Sequence, residues 1–409
     1  MDIGQIIKLL RINKGLTQSE LAEDICSITH LSKIENGSKE ANEESLNLLL
    51  ERLGSSYDQV FIDYGRSRKQ LEELDKELIY GNFKNADEIV SSIESKEEYF
   101  IYVGTGALYY LSLVKYYLLV DKVSKTDSYF TILNKLKKSL STEELKKLQF
   151  VRGLRLLKEK DYKAAIIKFE ECLDELPQNK GEIYYYYALC RGQLNQFGEA
   201  IEFAYKALDI FRTLYNYERI NHCNLLLGII LTQLKAYTKA GEYFNQTIYH
   251  SKLMNDKRSE MIAMHNFGRV LKKNKQYQEA AEIFQNCMDY YSKCGQENEF
   301  LHSLAELAEL QYSQGIDTAI ELIEEILLKC SPKQNSHYYY LFKTYQYNLK
   351  NQERDLARFL TSHAIPYFKD NGKNDQLFYC YKLLIENRHA TKEVCVEQII
   401  NEIINKVID

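Results

Sequence analysis

Residues 15–37 of the sequence are GLTQSELAEDICSITHLSKIENG, and this stretch decides how the N-terminal part of the chain folds. Thr17 precedes a helical pattern and Glu20 follows three residues later, which is the arrangement of a capping box. Gly37 is placed to end a helix. The pattern predicts two short helices with apolar residues on their inner faces, one over Thr17 to Asp24 and one from Ser27 or Ile28 to Glu35.

Two short helices joined by a tight turn are typical of the helix-turn-helix, whose second helix lies in the major groove of DNA. Flanking helices are predicted over 3–13 and 43–53, so residues 1–56 form a small helical bundle. The second motif helix carries a polar outer face. We expect this bundle to contact DNA through Thr17, Gln18, Ser27, Thr29, His30, Lys33, Asn36 and Lys39.

These residues have different expected roles. Gln18 is placed to bond a phosphate, and Lys33 to pair with the O6 and N7 atoms of a guanine. Thr29 and His30 face a base edge or a phosphate, while Asn36 and Lys39 lie beyond the helix near the DNA backbone. Ser32 and Glu35 are alternatives that brace the helix internally.

The residues L-R-x-x-K-G-L-T-Q-x-E-L-A (10–22) and L-S-K-I-E-N-G (31–37) resemble the Cro/repressor class of helix-turn-helix domains. The turn lacks the usual glycine, is one residue shorter than the common form, and contains Ile25, Cys26 and Ser27. This turn is similar to that of the Rap/Rgg/NprR/PlcR/PrgX family of peptide-pheromone receptors. Within that family, a head followed by about nine repeats, as predicted below, is most similar to the NprR type. Without glycine, we expect the turn to avoid positive φ or to strain Cys26.

The composition indicates an almost wholly helical protein, because 409 residues contain three prolines, no tryptophan and many helix-forming residues. The net charge of −5 excludes binding to nucleic acid through overall charge. Residues 1–53 hold six basic and nine acidic residues, a net −3, which counts against DNA binding by charge alone. The N-termini of helices, and two copies of the N-terminal bundle of residues 1–56 (the head) acting together, would compensate for the missing positive charge.

The sequence carries no pattern of a catalytic or cofactor-binding protein. The nine cysteines contain no CxxC pair, and the eight histidines form no HExxH motif, so we expect reduced core cysteines, no metal and no cofactor. We predict that the protein is not an enzyme. The N-terminus lacks a signal-peptide pattern and no apolar run is long enough for a membrane, so we expect a cytoplasmic protein.

A repeat begins after the head. Glycine, leucine, tyrosine, alanine and phenylalanine recur at identical offsets in 153–169, 228–244 and 268–284. This is the pattern of the tetratricopeptide repeat, whose helix pairs stack into a superhelix. We therefore predict an all-α protein with a linker over 57–67 and a right-handed solenoid of about nine helix pairs over 68–409.

The inner wall of such a solenoid usually holds a peptide. Asn266 lies in an N-x-G element similar to that of peptide-binding repeats, where the amide bonds the backbone of an extended ligand. Arg269 suits a peptide carboxylate. The predicted peptide contacts are Asn266, Arg269, Lys272, Gln233, Tyr186, Gln193, Gln311, Tyr312, Lys343 and Gln346.

The family resemblance implies a transcription regulator that binds double-stranded DNA as a homodimer and responds to a short signalling peptide, as in quorum sensing. Two alternatives remain open at this point. One is a repeat adaptor or response-regulator phosphatase whose head has lost DNA binding, since some family members act on a response regulator. The other is a phage lysis–lysogeny peptide receptor.

Overall fold

A computed structural model describes residues 3–37, 42–173, 176 and 179–387. Every regular element in these ranges is helical, which confirms the all-α prediction of a helix-turn-helix bundle followed by tetratricopeptide-like helix pairs. The chain divides into two compact units, Met1–Leu234 and Lys235–Asp409.

The N-terminal head contains four helices around a small apolar core. Leu10, Leu21, Leu31 and Leu49 are buried at its centre. The capping box at Thr17 is present and starts the second helix as predicted. The helices are α1 (Ile3–Asn13), α2 (Gln18–Ala22), α3 (Ile28–Glu35) and α4 (Glu43–Arg52).

The segment predicted as a linker is helical. Residues 57–67 form the first turns of α5 (Tyr57–Ile79), a helix of 23 residues. Ser56 caps it by accepting a hydrogen bond from the backbone N–H of Gln59 at 3.1 Å. A face buried at regular helical spacing, beginning with Val60 in the core of the head, holds the segment in place. The head is therefore continuous with the first repeats, and both belong to the first compact unit.

The rest of this unit consists of helix pairs that pack against one another. A Cβ added to Gly153 would lie 2.5 Å from the ring of Phe169, so the glycine of the repeat pattern permits the close approach of α10 and α11. The remaining helices are α6 (Phe83–Ile93), α7 (Glu97–Tyr102), α8 (Gly106–Leu119), α9 (Thr126–Leu136), α10 (Thr142–Lys158), α11 (Tyr162–Glu170), α12 (Lys180–Gln193), α13 (Phe197–Thr213) and α14 (Tyr217–Gln233).

A buried group of charges joins α5 to the repeats. The Nζ atom of Lys115 donates to Asp75 at 2.6 Å and to Glu182 at 2.7 Å. Arg219 donates to Glu182 at 3.0 Å and to the carbonyl of Leu78 at 2.9 Å, which satisfies an acceptor at the C-terminal end of α5. Each of these charges has a partner, as buried charges require.

The second unit repeats the same arrangement. A Cβ on Gly268 would lie 2.9 Å from the ring of Phe284, the counterpart of the contact at Gly153. The last predicted pair, 374–408, is described only as far as 387. The helices are α15 (Tyr237–Leu253), α16 (Lys257–Lys273), α17 (Tyr277–Lys293), α18 (Glu297–Ser313), α19 (Ala319–Lys329), α20 (Ser336–Leu349), α21 (Glu353–Phe359), a π-helical turn (Leu360–Ala364), α22 (Ile365–Asp370) and α23 (Asn374–Glu386).

Candidate functional sites

The second motif helix, α3, presents a polar face to solvent. Leu31 and Ile34 are buried in the head, whereas Thr29 and Lys33 are exposed. Ser27 begins the helix by accepting a hydrogen bond from the backbone N–H of His30 at 3.1 Å. The first turn of α3 is therefore fixed by its own cap, and its side chains project outward as contact with a DNA groove requires.

A buried carboxylate fixes α3 against the rest of the head. Glu35 accepts from the guanidinium of Arg11 at 2.6 and 3.0 Å, and from Nε2 of Gln18 at 2.8 Å. Burial opposes ionisation of Glu35, but the bonds from Arg11 and Gln18 outweigh it and lower its pKa. The three residues lie on α1, α2 and α3, so one ionised carboxylate ties three helices together.

Several predicted DNA contacts serve the head itself. The Gln18 amide nitrogen expected to meet a phosphate is bonded to Glu35 instead. Thr17 and Ser27 act as N-caps of α2 and α3. Asn36 is the exposed C-cap of α3, and Lys39 lies outside the described residues. Thr29 and Lys33 remain exposed on the outer face of α3, and His30 is half-buried there.

The structure corrects the expected backbone of the turn. The first motif helix ends at Ala22 and not at Asp24. Asp24 takes the left-handed conformation, with φ of 56°, so the strain predicted at Cys26 lies two residues earlier. An aspartate tolerates this conformation better than most residues because its short polar side chain bonds locally. Arg52 donates to the carbonyls of Leu21 and Glu23 at the end of α2.

In the second unit, two predicted peptide contacts on α16 form ion pairs with acidic residues of α18. Lys272 bonds Glu309 at 2.7 Å and also Glu306, and Arg269 bonds Glu306 at 3.1 Å. The Arg269 side chain remains 40% exposed, so its guanidinium is still accessible to a ligand. These ion pairs partly neutralise the positive charge that the sequence alone indicates for the basic residues of α16.

The amide nitrogen of Asn266 already has a hydrogen-bond partner within the chain. Its Nδ2 donates to the carbonyl of Ile262, one turn earlier on α16, at 2.9 Å. Beside it, Nδ1 of His265 lies 3.1 Å from the hydroxyl of Ser303. Burial lowers the pKa of His265 to about 4, although Glu306 opposes the shift. His265 is therefore neutral at physiological pH.

The remaining predicted contacts in this unit lie on α18 and α20. The ring of Tyr312 stacks on that of Tyr345 with centroids 4.0 Å apart. Its hydroxyl meets that of Tyr379 at 2.6 Å and accepts from Asn348 at 2.6 Å. The other three are Lys343, Gln346 and Gln311. Lys343 donates to Gln346 at 2.8 Å, and Gln311 accepts from Thr318 at 3.0 Å.

The predicted contacts of the first unit are not brought together in the same way. Tyr186 is 7% exposed and its ring packs beside Phe150 and Phe169. Gln193 and Gln233 are exposed at the C-terminal ends of α12 and α14.

Asn224, which the sequence analysis missed, is the most unusual polar residue of the first unit. It is 1% exposed, and neither its amide nitrogen nor its amide oxygen has a partner among the described residues. Burying an amide whose atoms have no partner in the chain is costly, so Asn224 is a candidate ligand contact. An asparagine entering the apolar run Leu225–Leu227 was the available sequence signal.

Among the described residues, histidine, cysteine, aspartate and glutamate form no group of three or more that is able to hold a metal ion. No described helix is long and apolar enough to cross a membrane.

Comparison with known proteins supports both parts of the fold. The helix-turn-helix family matches residues 7–60, and the tetratricopeptide repeat family matches residues 263–310. The transcriptional activator NprA of Geobacillus stearothermophilus is 26% identical over 398 residues, which cover 91% of this chain and 95% of NprA.

Two solved structures have a similar fold. The apo form of the quorum sensor NprR from B. thuringiensis matches with a TM-score of 0.70 and 19% identity, covering 83% of this chain and 98% of that one. NprR in complex with its cognate peptide NprX matches with a TM-score of 0.60 and 18% identity, over the same shares of both chains.

A helix-turn-helix head joined to tetratricopeptide repeats defines the class of this protein. The match to NprA extends along nearly the whole of both chains. These similarities confirm the resemblance to the Rap/Rgg/NprR/PlcR/PrgX family noted in the sequence.

Proposed function

We propose that the protein is a DNA-binding transcription regulator whose repeats bind a short signalling peptide. The observation that carries the DNA-binding part is the exposed polar face of α3, with Thr29 and Lys33 outward and the helix held from behind by Arg11, Gln18 and Glu35. A rigid helix with an exposed polar face is what base recognition requires, and contacts from the rest of the head position it.

In the second unit, the peptide-binding part is supported by the polar groups of α16 and α18; in the first unit, Asn224 on α14 is a separate candidate contact. An extended peptide offers a backbone donor and acceptor at each residue, and an amide side chain pairs with both at once. The unpartnered amide of Asn224 suits such a backbone. In the second unit, the accessible guanidinium of Arg269 suits a peptide carboxylate.

The protein acts as a cytoplasmic homodimer, because one head makes few phosphate contacts and this motif usually binds two half-sites. The proposal assigns no catalysis to the chain, in keeping with its relative NprA, a transcriptional activator. Peptide binding changes DNA occupancy by favouring one arrangement of the two heads over another.

Selection of fragmented genomic DNA on the purified full chain tests the DNA-binding part, with and without peptides encoded by small open reading frames beside the gene. The expected result is enrichment of one palindromic site whose occupancy changes with one peptide. Thr29→Ala combined with Lys33→Ala should abolish the enrichment, while Lys76→Ala, at an exposed lysine of α5, should not. Absence of enrichment in the wild type would favour an adaptor or phosphatase with an inactive head.

The same peptide tests the second part by calorimetry. Asn266→Ala should weaken peptide binding by about 1–3 kcal/mol if the amide pairs with the ligand backbone. The double variant at Thr29 and Lys33 should bind peptide with the wild-type dissociation constant, because α3 is not part of the peptide site. An unchanged dissociation constant for Asn266→Ala would remove that residue from the site.

A further inference from the structure

Helix α5 carries an exposed line of residues on the side opposite its buried face. Asp58, Ile62, Gly65 and Lys69 follow one another at spacings of four, three and four, which is the spacing of a coiled-coil seam. All four are exposed, and Ile62 is 51% exposed. Phe61, which is 59% exposed, lies beside the line. We call these four residues the α5 seam.

Packing within the chain explains neither the glycine nor the isoleucine of the α5 seam. Gly65 lies inside the helix, where glycine is less favourable than alanine by about 1 kcal/mol. A Cβ added there would meet no atom within 4 Å, so no neighbour in the chain requires glycine. Phe61 and Ile62 are adjacent and more than half exposed, so no contact within the chain accounts for these two apolar side chains.

We infer that the α5 seam pairs with the same seam of a second copy of the chain, antiparallel and around a twofold axis. In this register Ile62 packs over Gly65 of the partner subunit, because the missing side chain leaves room for it. Asp58 lies opposite Lys69 of the partner subunit. The twofold axis repeats both contacts, which gives four layers of the kind found in antiparallel coiled coils.

The charges favour a second copy and an antiparallel pair. A parallel pair would place the two Asp58 carboxylates together and the two Lys69 ammonium groups together, which is unfavourable. The antiparallel register places opposite charges at both ends of the α5 seam. Self-complementarity of this kind is what an isologous dimer interface requires.

The location of the α5 seam connects it to DNA binding. Val60 of the same helix packs in the core of the head, so pairing two α5 helices places two heads at a fixed separation. The exposed residues of α3 take no part in the seam and remain accessible. The seam is short, so we expect weak association of the free protein, which simultaneous binding of both heads to DNA would strengthen. This role rests on the proposed function, but the pairing itself does not.

Gly65→Leu is the first test, measured by sedimentation of the full chain over a range of concentrations without DNA. A Cβ at this exposed position meets no atom within 4 Å and glycine is unfavourable inside a helix, so folding should be retained and thermal stability should not fall. Self-association should weaken by about tenfold or more, because the leucine fills the space that Ile62 occupies in the pair. Gly198→Leu is the matched control, since Gly198 is also helical with nothing within 4 Å, and it should associate as the wild type does.

A charge exchange identifies the register. Asp58→Lys and Lys69→Asp should each weaken self-association several-fold, and the two changes together should restore it, because like charges become opposite again. A wild type that is monomeric at every concentration would overturn the inference. A dimer whose self-association is unchanged by Gly65→Leu and by the charge exchange would overturn it as well, since another surface would then form that dimer.

The outcomes separate this inference from the proposed function. If no DNA site is selected but the variants at Gly65, Asp58 and Lys69 behave as expected, DNA regulation fails and the α5 seam stands. If a palindromic site is selected but these variants leave both self-association and cooperative DNA binding unchanged, the α5 seam fails and DNA regulation stands.

Discussion

Asp24 holds the turn between α2 and α3 in a left-handed conformation, with φ of 56°. Glycine adopts this conformation without a steric cost, whereas an L-residue pays for it. Asp24→Gly should therefore stabilise the protein by about 0.5–1 kcal/mol. Gly15→Ala is the reverse control, because Gly15 has φ of 67° and no neighbour within 4 Å, so only its backbone is affected.

Thermal unfolding of the full chain measures both variants. The expected result is a higher transition temperature for Asp24→Gly and a lower one for Gly15→Ala. If the transition temperature fell in both variants, the loss of a hydrogen bond from the Asp24 side chain would outweigh the relief of backbone strain.

The amide of Asn224 is the clearest candidate for a residue kept at a cost to stability. Replacing it by leucine removes two buried, unpartnered polar atoms, so the unliganded protein should become more stable by about 1 kcal/mol. The same change should weaken peptide binding if the ligand supplies the missing partners. Stability is measured by denaturant unfolding and affinity by calorimetry. A variant that loses stability and keeps its affinity would show that Asn224 has a structural role.

His265 gives the second unit a specific dependence on pH. Its pKa in the folded state is lowered to about 4, mainly by burial, against about 6.5 in an unfolded chain. Below pH 6.5 the unfolded chain therefore binds a proton that the folded chain does not. The free energy of unfolding should fall as the pH decreases from 6.5 to 4, with about 2 kcal/mol lost between pH 7 and pH 5.

His265→Gln should remove this part of the dependence of the unfolding free energy on pH. His302→Gln, at an exposed histidine of α18, should retain it. Denaturant unfolding at several pH values measures the difference between each variant and the wild type. An identical slope in His265→Gln and the wild type would contradict the assignment.

At the scale of helices, the repeat depends on close approach at its glycines. A Cβ at Gly153 would lie 2.5 Å from Phe169, a separation that requires α10 and α11 to move apart. Gly153→Ala should destabilise the protein by about 1–3 kcal/mol, as overpacking usually does. Gly198→Ala, at an open helical position, should instead be neutral or slightly stabilising. Denaturant unfolding of both variants checks the contrast, and equal effects would contradict a packing role for Gly153.

Local signals explain which elements could be predicted from the sequence. The cap at Thr17 and the repeated glycine, tyrosine and alanine positions act within one or two turns, and these signals located the helices of the head and the repeats. Helix α5 was missed because glycine and serine residues at 54–56 suggested a loop. Ser56 is in fact a cap, and the buried face that makes the segment helical depends on contacts with the head.

The candidate sites were predicted less completely because their charges have distant partners. Gln18 meets Glu35, and Lys272 meets Glu306 and Glu309, across 17, 34 and 37 residues of sequence. No local pattern identifies which outward-facing polar residue will be bonded by another helix. The sequence therefore indicated polar residues on α3 and α16, but not which of their side chains are bonded to other helices.

At the scale of the whole molecule, peptide and DNA must influence each other equally. If the peptide changes the affinity for the operator by some factor, the operator changes the affinity for the peptide by the same factor, whatever path connects the two sites. Coupling of this kind is typically about 1–3 kcal/mol, or roughly 5- to 150-fold.

Calorimetric titration of the peptide into the full chain, alone and saturated with its operator, should therefore give two dissociation constants. Their ratio should equal the ratio of operator affinities measured with and without peptide. The variant that combines Thr29→Ala with Lys33→Ala should lose the effect of the operator on peptide binding, because its head no longer binds the site. Equal peptide affinities with and without operator, alongside an operator affinity that depends on peptide, would violate the linkage and imply a third component in the binding reaction.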